Sequence, residues 1–223
     1  MPTILTDIEV RVLGCLVEKQ VTTPEYYPLT LNALTLACNQ KNNRQPVTAL
    51  NETAVLEAVE SLREKNLVYI FYGSNSRVPK YKHVMPEILH LSQPELALLC
   101  VLMLRGPQTV GELRERAGRL YEFSGLEETE DTLNALITKE KDNEPLVARL
   151  PRQPGQKEAR FAHLLTGELD LEALAEIEAT QHAAVGRHGA TERIAQLEQQ
   201  VESLSVQIKS LQEEFAAFKK QFE

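Results

Sequence analysis

The sequence predicts a mainly α protein with small β-hairpin wings, an α+β fold of tandem winged-helix domains followed by a C-terminal helix and coiled coil. Three observations carry that prediction. A helix-start motif recurs at an offset of 86 residues, each copy closes on a strand–turn–strand pattern, and the C-terminal segment repeats apolar residues every three or four positions.

The first helix of each copy begins at the recurring motif. Leu5-Thr6-Asp7-Ile8-Glu9-Val10 aligns with Leu91-Ser92-Gln93-Pro94-Glu95-Leu96. In both, a hydroxyl residue precedes a glutamate by three positions, the capping box that satisfies free N–H groups at a helix start. Apolar residues follow at helical spacing: Val10, Leu13 and Leu16 in one copy, Leu96, Leu99, Leu102 and Met103 in the other. The second helix starts near Leu29-Thr30 in copy one and at Thr109-Val110-Gly111-Glu112, another capping box, in copy two. Copy one therefore carries about seven extra residues within Val21 to Pro28. A third helix spans Asn51 to Lys65, with Leu56, Val59 and Leu62 on one stripe, and its counterpart spans Ser124 to Lys139.

Each third helix gives way to two strands. Leu67 to Tyr72 leads through Gly73 to Ser76 into Arg77 to His83, and Leu146 to Leu150 leads through Pro151 to Gln156 into Glu158 to His163. Strand–turn–strand after three helices is the order of a winged helix. The division is a first winged helix over 1–88, a second over 89–166, a helical linker over 167–189 and a coiled coil over 190–223. The coil is written by Ile194, Leu197, Val201, Leu204, Ile208, Leu211, Phe215, Phe218 and Phe222. Ile or Val at the a positions with Leu at d favours a parallel two-stranded coil, and hence a homodimer. The competing reading folds this helix back on its own domains.

The composition is globular: 223 residues, 43% hydrophobic and 25% charged. The longest apolar run, Leu96 to Leu104, is far shorter than the ~20 residues a membrane helix needs. The N-terminus lacks the basic and apolar regions of a secretory signal, so a cytoplasmic protein without a membrane partner is expected. The net charge of −8 argues at first against nucleic acid. It is unevenly placed, however: residues 1–90 are neutral, 91–166 carry −2 and 167–223 carry −6.

Several segments closely resemble the YceH-like family of uncharacterised bacterial proteins. They are Gly14 to Ala33 with its Thr22-Thr23-Pro24-Glu25-Tyr26-Tyr27-Pro28, Ala37 to Arg44, Arg77 to Tyr81, Leu104 to Thr109, Gly111 to Arg114, Tyr121 to Ser124 and Phe161 to Glu168. The resemblance runs nearly continuously over 1–168. It implies a tandem winged-helix fold and implies no activity.

Chemistry is sought without result. No phosphate-binding glycine loop, dinucleotide fingerprint or His-Glu-x-x-His occurs, and neither the five histidines nor the three cysteines have metal-ligand spacing. No cofactor, no metal and no catalytic residue is expected, so the protein reads as a non-enzyme. His83 and His163 end the two wings equivalently, which points to a structural role. Cys15 and Cys100 read as small core residues, and Cys38 is either another or a redox thiol. Tyr26-Tyr27 is either a stacking platform or a seal for the loop.

The candidate nucleic-acid contacts fall on three segments. Asn39, Gln40, Lys41, Asn42, Asn43 and Arg44 offer donors to phosphates and base edges, or else end the second helix as a solvated cap. Arg77, Lys80 and Lys82 make the first wing basic, and Arg149, Arg152, Lys157 and Arg160 do the same for the second. Lysines on strands also serve simply to block edge-to-edge pairing. Against DNA stand the third helices, with Glu52, Glu57, Glu60 and Glu64 in one copy and Glu127, Glu128, Glu130 and Asp131 in the other. Two functions follow: a DNA-associated regulator using copy one, or an interaction scaffold whose acidic third helices meet a protein partner.

Overall fold

The computed structural model describes residues 4–72, 78–139, 145–152 and 158–167. Copy one opens on α1 (Asp7–Thr22), whose capping box is complete. The Thr6 N–H donates to Glu9 Oε2 at 2.6 Å, and the Glu9 N–H donates to Thr6 Oγ1 at 3.3 Å. A strand β1 (Leu29–Thr30) precedes α2 (Leu31–Cys38), and α3 (Glu52–Glu64) is capped by the Asn51 side chain. Strands β2 (Val68–Phe71) and β3 (Lys80–His83) complete an antiparallel sheet in the order β1-β3-β2. The short α4 (Met85–Leu89) leads to the second copy: α5 (Gln93–Arg105), α6 (Val110–Ala117), α7 (Leu126–Ile137), β4 (Val147–Arg149) and β5 (Phe161–His163). There a single bridge between Gln108 and Phe161 takes the place of β1. The described chain is thus mainly helical with small antiparallel hairpins.

Two local features were not in the sequence pattern. The second helix starts where expected, at Leu31 with Thr30 as its cap, but Leu29-Thr30 also forms a strand paired with Tyr81 and Lys80. Linker helix α4 has no counterpart in the sequence reading. Its Pro86 lies in the first turn, where the missing N–H costs nothing.

One apolar cluster runs through both copies, from Leu13, Leu16 and Leu34 to Leu98, Leu102 and Leu133. Its seam is α1 against α5. Gly14 makes that approach possible: a Cβ there would stand 2.9 Å from Leu104 Cδ2 and 3.2 Å from Met103 Cβ. The Cys100 thiol, 86 residues on, donates to the Gly14 carbonyl at 3.4 Å. By the repeat offset these two residues are the same position, so the first helices meet at a point related to itself. The Leu5 N–H also bonds the Leu165 carbonyl at 2.8 Å, pinning the start of the unit to its end.

The repeat extends to side chains. Lys65, just past α3, reaches back to Glu9 Oε1 at 2.6 Å and to the Ile4 carbonyl at 3.1 Å. Lys139, just past α7, does the same with Glu95 Oε1 at 3.4 Å and the His90 carbonyl at 3.1 Å. In each copy one lysine ties the third helix to the capping box of the first. Among the described residues no helix is long and apolar enough to cross a membrane, and no group of side chains is placed to hold a metal ion.

Candidate nucleic-acid interface

The polar run after α2 is mostly turned inward. Arg44 is buried and gives both terminal nitrogens to Glu18, Nη1 to Oε1 at 3.1 Å and Nη2 to Oε2 at 2.6 Å. Its Nε donates to the Ala37 carbonyl at 3.1 Å, which closes the C-terminus of α2. Burial opposes the charge on Arg44, but Glu18 outweighs it and raises the guanidinium pKa. Burial likewise works to raise the Glu18 pKa, and Arg44 reverses it, holding the carboxyl below its ordinary range. Arg44 is therefore corrected from phosphate contact to buried ion pair, because reaching solvent would strand a carboxylate in the core.

Its neighbours are similarly engaged. Asn39 donates Nδ2 to the Leu50 carbonyl at 2.7 Å and accepts the Leu50 N–H at 2.8 Å, bracing the approach to α3. Gln40 Oε1 accepts from Lys19 and Arg44, and Asn43 Oδ1 accepts from Arg105 Nη2. Lys41 and Asn42 are the members of the run that stand exposed.

The first hairpin, β2 and β3, presents a different surface. The register pairs Tyr69 with Lys82 and Phe71 with Lys80. Directly opposed residues share a sheet face, and successive residues along a strand switch faces. Val68, Tyr81 and His83 therefore pack inward, whereas Tyr69 and Phe71 point outward, 52% and 49% exposed. Thr30, opposite Lys80, lies on the same outer face, and Tyr72 beyond the strand is 63% exposed. The result is two aromatic rings flanked by two ammonium groups. Arg77 lies outside the described residues. The alternation of Val68-Tyr69-Ile70-Phe71 separates aliphatic residues from rings, and the register shows that the rings are on the outer face.

The second hairpin, β4 and β5, is not its equal. Arg149 is exposed opposite the buried Phe161, and Arg152 is exposed beyond the strand. Arg160 turns back to the Pro107 carbonyl at 3.0 Å and Glu112 Oε2 at 3.3 Å. Lys157 lies outside the described residues, as do the coil positions Ile194, Leu197, Val201, Leu204, Ile208, Leu211, Phe215, Phe218 and Phe222. The glutamates of α3 named above are exposed, as are Glu127, Glu130 and Asp131 on α7. Glu128 differs, accepting from the Ser124 N–H at 2.7 Å and the Tyr121 hydroxyl at 2.9 Å. It holds the N-terminus of α7, which the glycine before it does not cap with a side chain.

The remaining candidates are structural. The Tyr27 hydroxyl accepts the His83 N–H at 2.8 Å and seals the loop, whereas Tyr26 is 70% exposed. Both ring nitrogens of His83 and Nδ1 of His163 are buried without a hydrogen-bond partner. Burial pushes both histidines down to about 4, so both rings are neutral at physiological pH. All three cysteines are buried. Contact with Cys15 and burial push the Cys38 thiol up, the opposite of what a reactive thiol needs.

The family model described as "Protein of unknown function, DUF480" matches residues 5–156. The chain is 50% identical over 223 residues to the UPF0502 protein of Geobacter sulfurreducens, covering 100% of both chains. It is 45% identical over 215 residues to that of Vibrio atlanticus, covering 95% of this chain and 96% of the relative. With the Opitutus terrae protein the identity is 53% over 168 residues, 75% of this chain and 72% of the other. By the extent of these matches the chain belongs to the DUF480 family, whose relatives carry the UPF0502 name.

Proposed function

We propose that the protein is a non-enzymatic, nucleic-acid-associated winged-helix regulator that binds through its first wing. The observation carrying this reading is the outer sheet face on which Tyr69 and Phe71 stand opposite Lys82 and Lys80. Exposed rings stack on bases of any sequence, and neighbouring cations follow the phosphate backbone. The helix–strand–helix–helix–strand–strand order of copy one supports the winged-helix assignment. The wing, not the acidic α3, makes the contact, because four exposed glutamates on that helix would repel a phosphate backbone. The heptads of 190–223 pair two chains and double the contact.

Fluorescence anisotropy of the full chain with labelled single-stranded and duplex oligonucleotides, at two salt concentrations, tests the proposal. Binding weakens steeply with salt, and Y69A/F71A weakens single-strand binding by about tenfold or more. K80A/K82A flattens the salt dependence. No binding at low salt to either oligonucleotide overturns it.

A second reading is supported by the same rings: three large aromatics on and beyond an edge strand also suit a protein partner, making the chain a scaffold without nucleic-acid contact. Co-purification of a protein that resists nuclease and is lost with Y69A/F71A favours it.

A further inference from the structure

A shallow cleft, open to solvent, lies where the C-terminal end of α1 meets α5 and the end of α6. Arg105, Arg116 and Arg119 line it together with Glu18, Asn43 and Thr22. Glu18 on its wall is held by two hydrogen bonds from Arg44, and its charge also acts on Arg105 and Arg119, offsetting part of their positive charge. Arg116 leans on Glu112 Oε1 at 3.2 Å and on Gln108. Arg105 bonds Asn43 through Nη2. Arg119 is exposed and makes no side-chain hydrogen bond or ion pair among the described residues. Burial, and then repulsion from Arg116 and Arg119, lowers the pKa of Arg105. In a chain of net charge −8, Arg105, Arg116 and Arg119 line one cleft whose wall carries the single carboxylate of Glu18, already paired with Arg44, so positive charge is in local excess there even with Glu112 against Arg116.

We propose that this cleft binds a phosphate group carried by a small molecule. Planar guanidinium forks match phosphate oxygens bidentately, and a dianion suits several cations better than a single carboxylate does. The lining comes from both copies: Glu18, Thr22 and Asn43 from the first, the three arginines from the second. A bound phosphate therefore tightens the α1–α6 junction and stabilises the unit. The site is separate from the wing face and does not depend on it.

Isothermal titration of the full chain with pyrophosphate, against sodium chloride at matched ionic strength, reads the site directly. Arg119→Ala removes a side chain without folding contacts and is expected to weaken binding about tenfold or more. Arg114→Ala, at an exposed arginine on α6 outside the cleft lining, controls for net charge and leaves binding unchanged. The melting temperature rises with pyrophosphate in the wild type and much less in Arg119→Ala. Equal weakening by both variants, or binding no stronger than to chloride, overturns the proposal. A duplex oligonucleotide separates the sources of phosphate: if pyrophosphate displaces it and Arg119→Ala weakens both equally, the phosphate is a polynucleotide's and the small-molecule site is rejected. Pyrophosphate binding that survives K80A/K82A keeps this result independent of the wing.

Discussion

Glu18 and Arg44 meet through two hydrogen bonds, 2.6 and 3.1 Å long, across 26 residues of sequence. The pair joins the C-terminal part of the core helix α1 to the loop that follows α2. Removing one partner leaves a buried charge alone, which costs about 3–5 kcal/mol. Urea unfolding of Arg44→Met is expected to show a loss of that size. The double variant Arg44→Met with Glu18→Leu recovers much of it, because the stranded carboxylate is gone. A double variant as unstable as the single one would contradict this account.

Gly14 sets the spacing of α1 and α5. Substitution by Val forces branched carbons into Leu104 and Met103, and Met103 Cβ cannot swing aside as a side-chain tip can. We expect Gly14→Val to lose about 2–3 kcal/mol in urea. Gly14→Ala loses less, since helix propensity returns about 1 kcal/mol. A Gly14→Val protein with wild-type stability would show that the helices have room to part.

The two hairpin histidines, His83 and His163, predict an acid limb to the stability curve. With a folded pKa near 4 and an ordinary value of 6.5, His83 is neutral in both states above pH 6.5. As pH falls below that, the unfolded chain takes up a proton that the folded chain refuses, so stability drops with pH. For His83 the loss reaches about 3 kcal/mol by pH 4. Glu87 favours protonation of this ring and Lys82 opposes it, while Asp7 favours protonation of His163. Carboxylates with lowered pKa values, Glu9, Glu18 and Glu95, add their own losses once the pH falls toward and below their ordinary value of 4.5. Urea midpoints between pH 5 and 8 are expected to fall on the acid side, and His83→Leu makes that fall shallower. An unchanged profile in the variant counts against the buried neutral ring.

The paired lysines allow one interaction to be tested twice. Lys65→Met and Lys139→Met each remove a bridge from a third helix to a capping-box glutamate. Lys65 is the closer, at 2.6 Å against 3.4 Å, and its glutamate is the more buried. Thermal melts are expected to show the larger loss for Lys65→Met, about 1–2 kcal/mol. The reverse order would mean that the bridges do not follow their geometry.

What the sequence made legible was whatever is encoded within a few residues. The capping boxes at Thr6, Ser92 and Thr109 place three helix starts, and all three are formed. Strand β1 escaped because two residues carry no periodicity; it exists only because β3 lies beside it. Arg44 was misplaced for a related reason. A polar loop looks solvated from its own composition, and the carboxylate that draws its arginine inward sits 26 residues earlier in an apolar helix. Tyr69 and Phe71 stayed hidden because rings in a strand are ordinarily core, and only the register shows which face is dry.

The meeting of Gly14 with Cys100 has a consequence for how such a unit can vary. In a dimer of identical chains, two residues facing each other on the symmetry axis must be the same residue. Two glycines would leave a void, and two cysteines would crowd the crossing or oxidise together. Joining both halves in one polypeptide lifts that constraint, so one side is free to be a notch and the other a thiol. Covalent fusion here converts a homotypic contact into a lock with two different parts.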